Sequence, residues 1–525
     1  MYLTTIFSTA LFLLFFIFAI KFRKAETICT NNEKADKFID VAVCLAVAVG
    51  FSAFFSLSPL NNDVLSTDSS VFIYIGKKMH QGYVPYKDLF DHKGPVMYFI
   101  QYVGTFGKNQ LILWLLEIAG IFATAVFLLK SAKLFTGKKA FQYFAVFSSI
   151  AVCGMDTFDG GNYTEEWALP WIAAAMFICL KSLKEDKYSL KNMFWLGAGF
   201  AFVFLLRVNM AVVWVVFVPI IGVKLLAEKR FADIFRCVFG FITGAVIITA
   251  PVLIYEFVTD SFADMIKCYF TFNLTYTASD STVVNIIAIA LVLLMELNIL
   301  LMAFALVLSL MKKQKGKLYW YNFAFFLASL FFTSISGRAY EHYAIILIPA
   351  MTVPLILCAE FIAEKLDKEK KTIKPAAVKA APLLCLCLAV ITSFYAAKAV
   401  INSIDYNDRY NSEISDYIRE NTNADDDVII LGNYAYYYYE CNRSTKNKFF
   451  YQTPPLIVSD ELYAEFLEEC EKKPSDYIFV AQNTAEYETR ISNLWDYVRL
   501  LEAGTQNGSY TAERFEDFTV YKRVK

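Results

Sequence analysis

Apolar residues fall in blocks of about 15–25 separated by short polar, charged stretches. A block of that length, as a helix, crosses a hydrocarbon core about 30 Å thick. Twelve spans are expected: about 4–20, 40–57, 111–129, 141–153, 165–180, 193–206, 210–226, 235–255, 283–310, 318–335, 343–362 and 380–397. The first run, "LTTIFSTALFLLFFIFAI", has no basic residue before it and no small-residue cleavage site after it. It reads as a retained helix, not a signal peptide. From about residue 398 the pattern changes. "VIILG" (428–432), "DYIFVA" (476–481) and "FTVYKRV" (518–524) read as strands, and 459–473 and the region around 485–502 as helices. The expected fold is therefore an α-helical polytopic membrane domain, 1–397, followed by a small α/β domain, 398–525.

Charge gives the spans a direction. Loops 21–39, 130–140, 181–191, 224–236, 311–317 and 364–379 hold 27 Lys and Arg in all. The alternate set, 58–110, 154–164, 206–209, 256–282 and 336–342, holds eight. Basic loops stay on the cytoplasmic side. The first set is then inside, and both termini and the 398–525 domain are outside the cytoplasmic membrane. The chain is 57% hydrophobic, above the roughly 45–50% of soluble domains. A net charge of −1 leaves no basic face for phosphates, so nucleic acid is not an expected partner. The lipid bilayer is. Of the eleven cysteines, Cys441 and Cys470 fall in the polar tail, where a disulfide between them is open, and none shows zinc spacing.

One outside loop, 58–110, carries unusual chemistry: "TDSSVFIYIGKKMHQGYVPYKDLFDHKGPVMYFI" (67–100). Residues 68–80 read as a helix lying on the membrane, with Phe72, Ile75 and Met79 on one side and Lys77, Lys78 and His80 toward the polar side. "GYVPY" breaks it, and "PVMYFIQYVGTF" (95–106) is too short to span, so it reads as re-entrant or interfacial. Charge near a bilayer costs a few kcal/mol per residue, which makes Asp68, Asp88, Asp91, His92 and Lys93 worth explaining. Asp68 could equally cap the helix after it.

The pattern of Asp68, Phe72 four residues on, Met79 eleven on, a Gly–Pro break, and then Asp91-His92-Lys93-Gly94-Pro95 resembles the first extracytoplasmic loop of GT-C glycosyltransferases. The likeness is nearest to the aminoarabinose transferases and their protein O-mannosyltransferase relatives. Ser69 stands where those families have a second acidic residue, and "DHKGP" replaces their Glu-Lys-Pro-Pro. These departures point to a divergent bacterial branch.

The resemblance implies transfer of a sugar from a polyprenyl-phosphate donor to an outside acceptor (a cell-wall polymer, lipid-linked glycan or protein) with inversion. Asp68 would be the general base and Lys93 the partner of the departing phosphate. Asp91 or His92 would orient Lys93 or contact the sugar, with Tyr86 beside them. In "GMDTFDGGNYTEEWALP" the carboxylates are Asp156, Asp159, Glu165 and Glu166. The resemblance implies that Glu165 or Glu166 helps hold donor, acceptor or a divalent cation (Mg, Mn or Ca), with Asn162 and Tyr163 lining the cavity. The spacing itself requires no metal. As helix-opening residues these carboxylates also suit an N-terminus. Arg207 is expected to take a phosphate or carboxylate partner and Arg338 a phosphate, with Tyr340 and His342 beside Arg338; both arginines could also be interfacial anchors. "YAYYYYE" (434–440) reads as either a sugar-stacking surface or domain core. The alternative class is a transporter or flippase that binds a sugar or lipid-linked sugar without chemistry. The spans carry few ionisable residues, Glu117 and Glu296 being exceptions, whereas transporters place them at the midplane.

Overall fold

The computed structural model describes residues 2–23, 33–53, 55–60, 65–107, 110–154, 157–158, 160–274, 283–296, 299–312, 316–335, 340–367, 412–481 and 492–524. They form two units. One comprises Met1–Asn62, Asn109–Ile254 and Thr277–Ile404; the other comprises Asp63–Lys108, Tyr255–Tyr276 and Asp405–Lys525. The charged first loop thus shares a unit with the C-terminal segment, a grouping that a linear boundary at 397 does not express.

The first unit is helical. Leu111–Phe135, Thr164–Glu185, Phe231–Val258 and Glu341–Asp367 are long and apolar enough to cross a membrane. Leu11–Lys21, Leu190–Phe204, Val212–Ala227 and Val283–Leu293 are shorter and apolar. Phe231–Val258 exposes Phe235, Ile247, Ile254 and Phe257, each more than half accessible, which suits a hydrocarbon neighbour. Small residues let backbones meet. A Cβ at Gly197 would lie 1.9 Å from the Phe241 carbonyl, and one at Gly244 would lie 1.9 Å from that of Phe194. Residues 141–153 form Lys139–Phe147 followed by a π-helical turn, Ser148–Val152. The stretch read as one span at 283–310 contains two helices, Val283–Glu296 and Ile299–Met311. The segment 380–397 lies outside the described residues.

The second unit is built on a four-stranded sheet of order β1 (Val428–Leu431), β2 (Tyr477–Ala481), β4 (Phe518–Arg523), β3 (Tyr510–Arg514). β1 and β2 are parallel and the other pairs antiparallel. The parallel pair needs a crossover, and Asp460–Lys472 lies within it. Ile429, Ile478, Phe479 and Val520 pack inside with Phe466 and Leu501. β3 is an edge strand with mostly exposed residues, so it lacks the apolar signal that made the other three legible. Cys441 and Cys470 are separate free thiols.

Helix Thr67–Met79 does not have the one-sided burial of a membrane-surface helix. Its Tyr74 stacks on Phe450 at 4.5 Å and lies 5.0 Å from the Tyr438 ring, while its hydroxyl accepts from the Thr445 amide at 3.1 Å. Lys78, expected on the polar side, is 4% exposed, its ammonium 4.4 Å from the Tyr83 ring. Aromatic neighbours from the sheet segment cover the face that helical periodicity alone would leave to solvent. Tyr436, Tyr437 and Tyr438 are buried, so the tyrosine run is core. The 95–106 segment is helical over Pro95–Gly104, with proline at its first turn. It packs so closely on Thr67–Met79 that a Cβ at Gly76 would lie 2.8 Å from the Gln101 backbone.

Candidate functional site

In the second unit, Ser66 caps helix Thr67–Met79, its hydroxyl accepting from the Ser69 amide at 3.3 Å. Asp68 is therefore released from that duty. It is half-buried in the first helical turn, with no hydrogen-bond or ion-pair partner among the described residues.

The loop that follows is braced from several sides. Tyr86 has φ +68°, a left-handed conformation that a tyrosine rarely takes, and it is fully buried. Its hydroxyl donates to the Lys93 carbonyl at 2.7 Å. Asp91, 2% exposed, accepts from the hydroxyls of Tyr451 (2.7 Å) and Tyr98 (2.9 Å) and from the His92 amide (2.7 Å). Burial pushes the Asp91 carboxyl above the usual range, and the Lys93 ammonium and these donors oppose the shift. His92 Nδ1 lies 3.4 Å from Asp91 Oδ1, and its Nε2 lies 3.2 Å from Lys93 Nζ. Nε2 can accept from the ammonium, whereas Nδ1 is buried within ion-pair distance of Asp91 and makes no hydrogen bond to it. Asn273 Nδ2 donates to the His92 carbonyl at 2.7 Å. Asp91, His92 and Lys93 thus form a chain that ends in a cation.

In the first unit a left-handed turn organises the second cluster. Gly160 and Gly161 both have φ +87° and Asn162 has φ +63°. The Gly160 carbonyl accepts from the Ser56 amide (2.8 Å) and hydroxyl (3.0 Å). A Cβ at Gly161 would meet the Phe55 ring at 2.7 Å and Glu117 Oε1 at 2.8 Å. The turn aims the Asn162 amide at Glu166 Oε2 (2.7 Å), and Trp167 Nε1 donates to Asn162 Oδ1 (3.1 Å). Glu117 is buried as well, and both of its carboxylate oxygens lack a hydrogen-bond partner among the described residues.

One residue earlier, Glu165 is ion-paired with Arg207 and accepts from Thr164 Oγ1 at 2.8 Å. The Arg207 guanidinium lies 4.2 Å over the Tyr343 ring. His342 stacks on Tyr163 at 4.3 Å and on Tyr340 at 5.6 Å.

The residues proposed from sequence therefore gather as two groups. Tyr86, Asp91, His92 and Lys93 form one in the second unit. Asn162, Glu165, Glu166, Arg207, Tyr340 and His342 belong to the other in the first. Asp68 stands apart from the Asp91 chain's contacts. Arg338, Asp156 and Asp159 lie outside the described residues. Sequence reasoning passed over Glu117 as an exception within a span. A buried carboxylate in an apolar helix was the available signal. Tyr98 and Tyr451 were also missed, and Tyr343, recognised at the edge of its span, was given no partner. They are ordinary aromatic residues in sequence, and only packing gives their hydroxyls and rings a partner.

A family model described as "Putative competence-induced protein Ccs4 N-terminal domain" matches residues 31–397. The chain belongs to this Ccs4 family. No curated protein matches it in sequence. Two solved structures share the fold. ArnT from Cupriavidus metallidurans in the apo state superposes with a TM-score of 0.62 at 11% identity, covering 94% of this chain and 99% of that one. The same protein bound to undecaprenyl phosphate gives 0.59 at 12% identity with the same coverage. This Ccs4-family chain therefore has the fold of ArnT. The family match spans the first loop and both site clusters and ends before the sheet.

Proposed function

We propose that this Ccs4-family chain is a membrane glycosyltransferase that moves a sugar from a polyprenyl-phosphate donor to an extracytoplasmic acceptor. The observation that carries this reading is the fold match over 94% of the chain to a protein solved with undecaprenyl phosphate. Two features of the chain's own residues support it. Lys93 is presented by a buried Asp91–His92 pair, the kind of held cation that a departing phosphate needs. Asp68 is a carboxylate left without a partner among the described residues, which leaves its oxygens available to take a proton.

In the proposed step Asp68 takes the proton of an acceptor hydroxyl. That oxygen attacks the anomeric carbon from the face opposite the phosphate, the carbon–phosphate oxygen bond breaks, and the polyprenyl phosphate leaves paired with Lys93. Arg207 is a second candidate for the phosphate, exchanging Glu165 for it, and Arg338 is a third. In the second unit Asp91, Tyr86 and His92 would shape binding around Lys93; in the first, Asn162, Glu166, Tyr340 and His342 would shape binding around Arg207. A divalent cation does not fit the residues well. Glu165 is committed to Arg207 and Glu166 Oε2 to a backbone amide, and among the described residues no group of three metal-ligating side chains occurs. A cell-wall polymer, a lipid-linked glycan and a protein all remain acceptors consistent with this reading.

Purified protein with radiolabelled polyprenyl-phosphate sugars and membrane extract tests the reading. Wild type should transfer or release sugar. Asp68→Asn should fold normally and lose at least about 100-fold in rate, the usual contribution of a general base. Lys93→Ala should weaken donor use. Undiminished transfer by Asp68→Asn removes the base assignment. Binding of every donor without turnover by wild type overturns the enzyme reading in favour of a transporter.

A further inference from the structure

The helical unit contains a cavity of about 570 Å³ that shares no lining residue with either cluster. It opens among the ends of helices that the loop charges assign to the cytoplasmic side. Lys184, Lys224, Lys312 and Lys317 line it against one carboxylate, Glu360. The remaining wall is largely apolar, with Phe135, Leu183, Leu318 and Leu357.

The lysines are unequally committed. Lys224 pairs with Asp186 and lies 3.6 Å from Glu228. Lys312 pairs with Glu360 and lies 3.2 Å from Glu364. Lys184 donates only to the Leu134 carbonyl, so its charge has no carboxylate partner among the described residues. Lys317 is exposed and has no hydrogen-bond or ion-pair partner among them.

Retention of basic loops inside accounts for the number of lysines. It does not account for their convergence on a cavity with an apolar wall. That combination matches an amphiphile: an anionic head held by ammonium groups, with methylenes against leucine and phenylalanine. The volume falls in the range of small-molecule sites, larger than an isolated phosphate requires. We infer that this cavity binds the phosphodiester head group of an anionic phospholipid of the inner leaflet, with Lys184 and Lys317 as its principal partners. The site is independent of the proposed transfer reaction.

The full chain in detergent, stripped of lipid, allows the test. Phosphatidylglycerol, phosphatidylcholine and inorganic phosphate are added separately, and retained lipid is counted by native mass spectrometry beside thermal unfolding. Wild type should retain phosphatidylglycerol and unfold at a higher temperature, with neither effect from the other two. Lys184→Ala and Lys317→Ala should each weaken retention about fivefold. Lys317→Glu, at an exposed position with no native partner, should weaken it further without changing lipid-free unfolding. Lys93→Ala should retain the lipid as wild type does. Equal retention by wild type and the Lys184/Lys317 double variant overturns the site, as does equal stabilisation by phosphatidylcholine. A full shift with inorganic phosphate alone overturns the lipid as occupant.

Discussion

Lys78 shows how one side chain's burial sets a pH dependence. It sits in helix Thr67–Met79 between the rings of Tyr74 (5.7 Å) and Tyr83 (4.4 Å). Burial lowers its pKa from 10.5 to about 8, with the Asp427 carboxylate opposing the shift. A depressed lysine favours its neutral form in the fold. Between about pH 8 and 10.5 the unfolded chain binds more protons than the folded one, so stability rises with pH across that window. Below about pH 8 the fold carries the whole cost of the buried charge. Lys78→Met should remove the rise and raise stability at pH 7. Denaturation of the purified protein between pH 7 and 10.5 checks this, and an unchanged slope in the variant would refute it. At the same scale, Gly160, Gly161 and Asn162 show why a turn's residue types matter. A left-handed run of three delivers the Asn162 amide to Glu166 and leaves room for Phe55 and Glu117, with both of which a Cβ at Gly161 would collide.

The loop between helices Thr67–Met79 and Pro95–Gly104 behaves as an element because Asp91 ties it together. Three donors converge on this carboxylate, and through His92 it faces Lys93. Asp91→Ala should destabilise the protein by about 3–5 kcal/mol, since it leaves buried hydroxyls and an amide without an acceptor. Asp91→Asn keeps an acceptor oxygen and should fold with near-native stability. It removes the charge that faces His92 and Lys93, so donor use should fall while stability holds. Unfolding midpoints and transfer rates, measured on the same preparations, separate the two effects. A stable Asp91→Ala would show that the loop is held by other contacts.

For the whole molecule, the grouping of residues 63–108 with 255–276 and 405–525 is the main organisational result. Tyr74 packs on Tyr438 and Phe450, Phe90 stacks on Phe449 at 5.3 Å, and Tyr451 reaches Asp91. The C-terminal segment is thus part of what shapes the first loop. A chain ending at residue 404 should lose this support, and transfer with it, while its apolar helices still enter the membrane. Size-exclusion profiles and protease sensitivity of the loop report the outcome. Native protease resistance within 63–108 in the shortened chain would contradict this reading.

How much of this was legible in the sequence follows from the physics. Apolar blocks and basic loops are local statements, because a helix must cover its own length of hydrocarbon and each lysine acts where it stands. The helical fold, three of the strands, and the interest of Asp68, Asp91, His92, Lys93, Glu165 and Arg207 could therefore be read along the chain. The resemblance of the first loop to GT-C enzymes agrees with the fold. Partnerships across large separations could not be read. Tyr451 on Asp91, Tyr343 under Arg207 and Glu117 beside Glu166 depend on which surfaces pack, and a tyrosine or a glutamate carries no local mark of its distant neighbour. The same reason hid β3, whose exposed residues are paired only by the strand beside them, and the burial of Lys78, which helical periodicity assigns to water. The sequence by itself determined where the chain turns apolar and where it is charged. Only the tertiary structure decided which charges are held, by which groups, and which are left free.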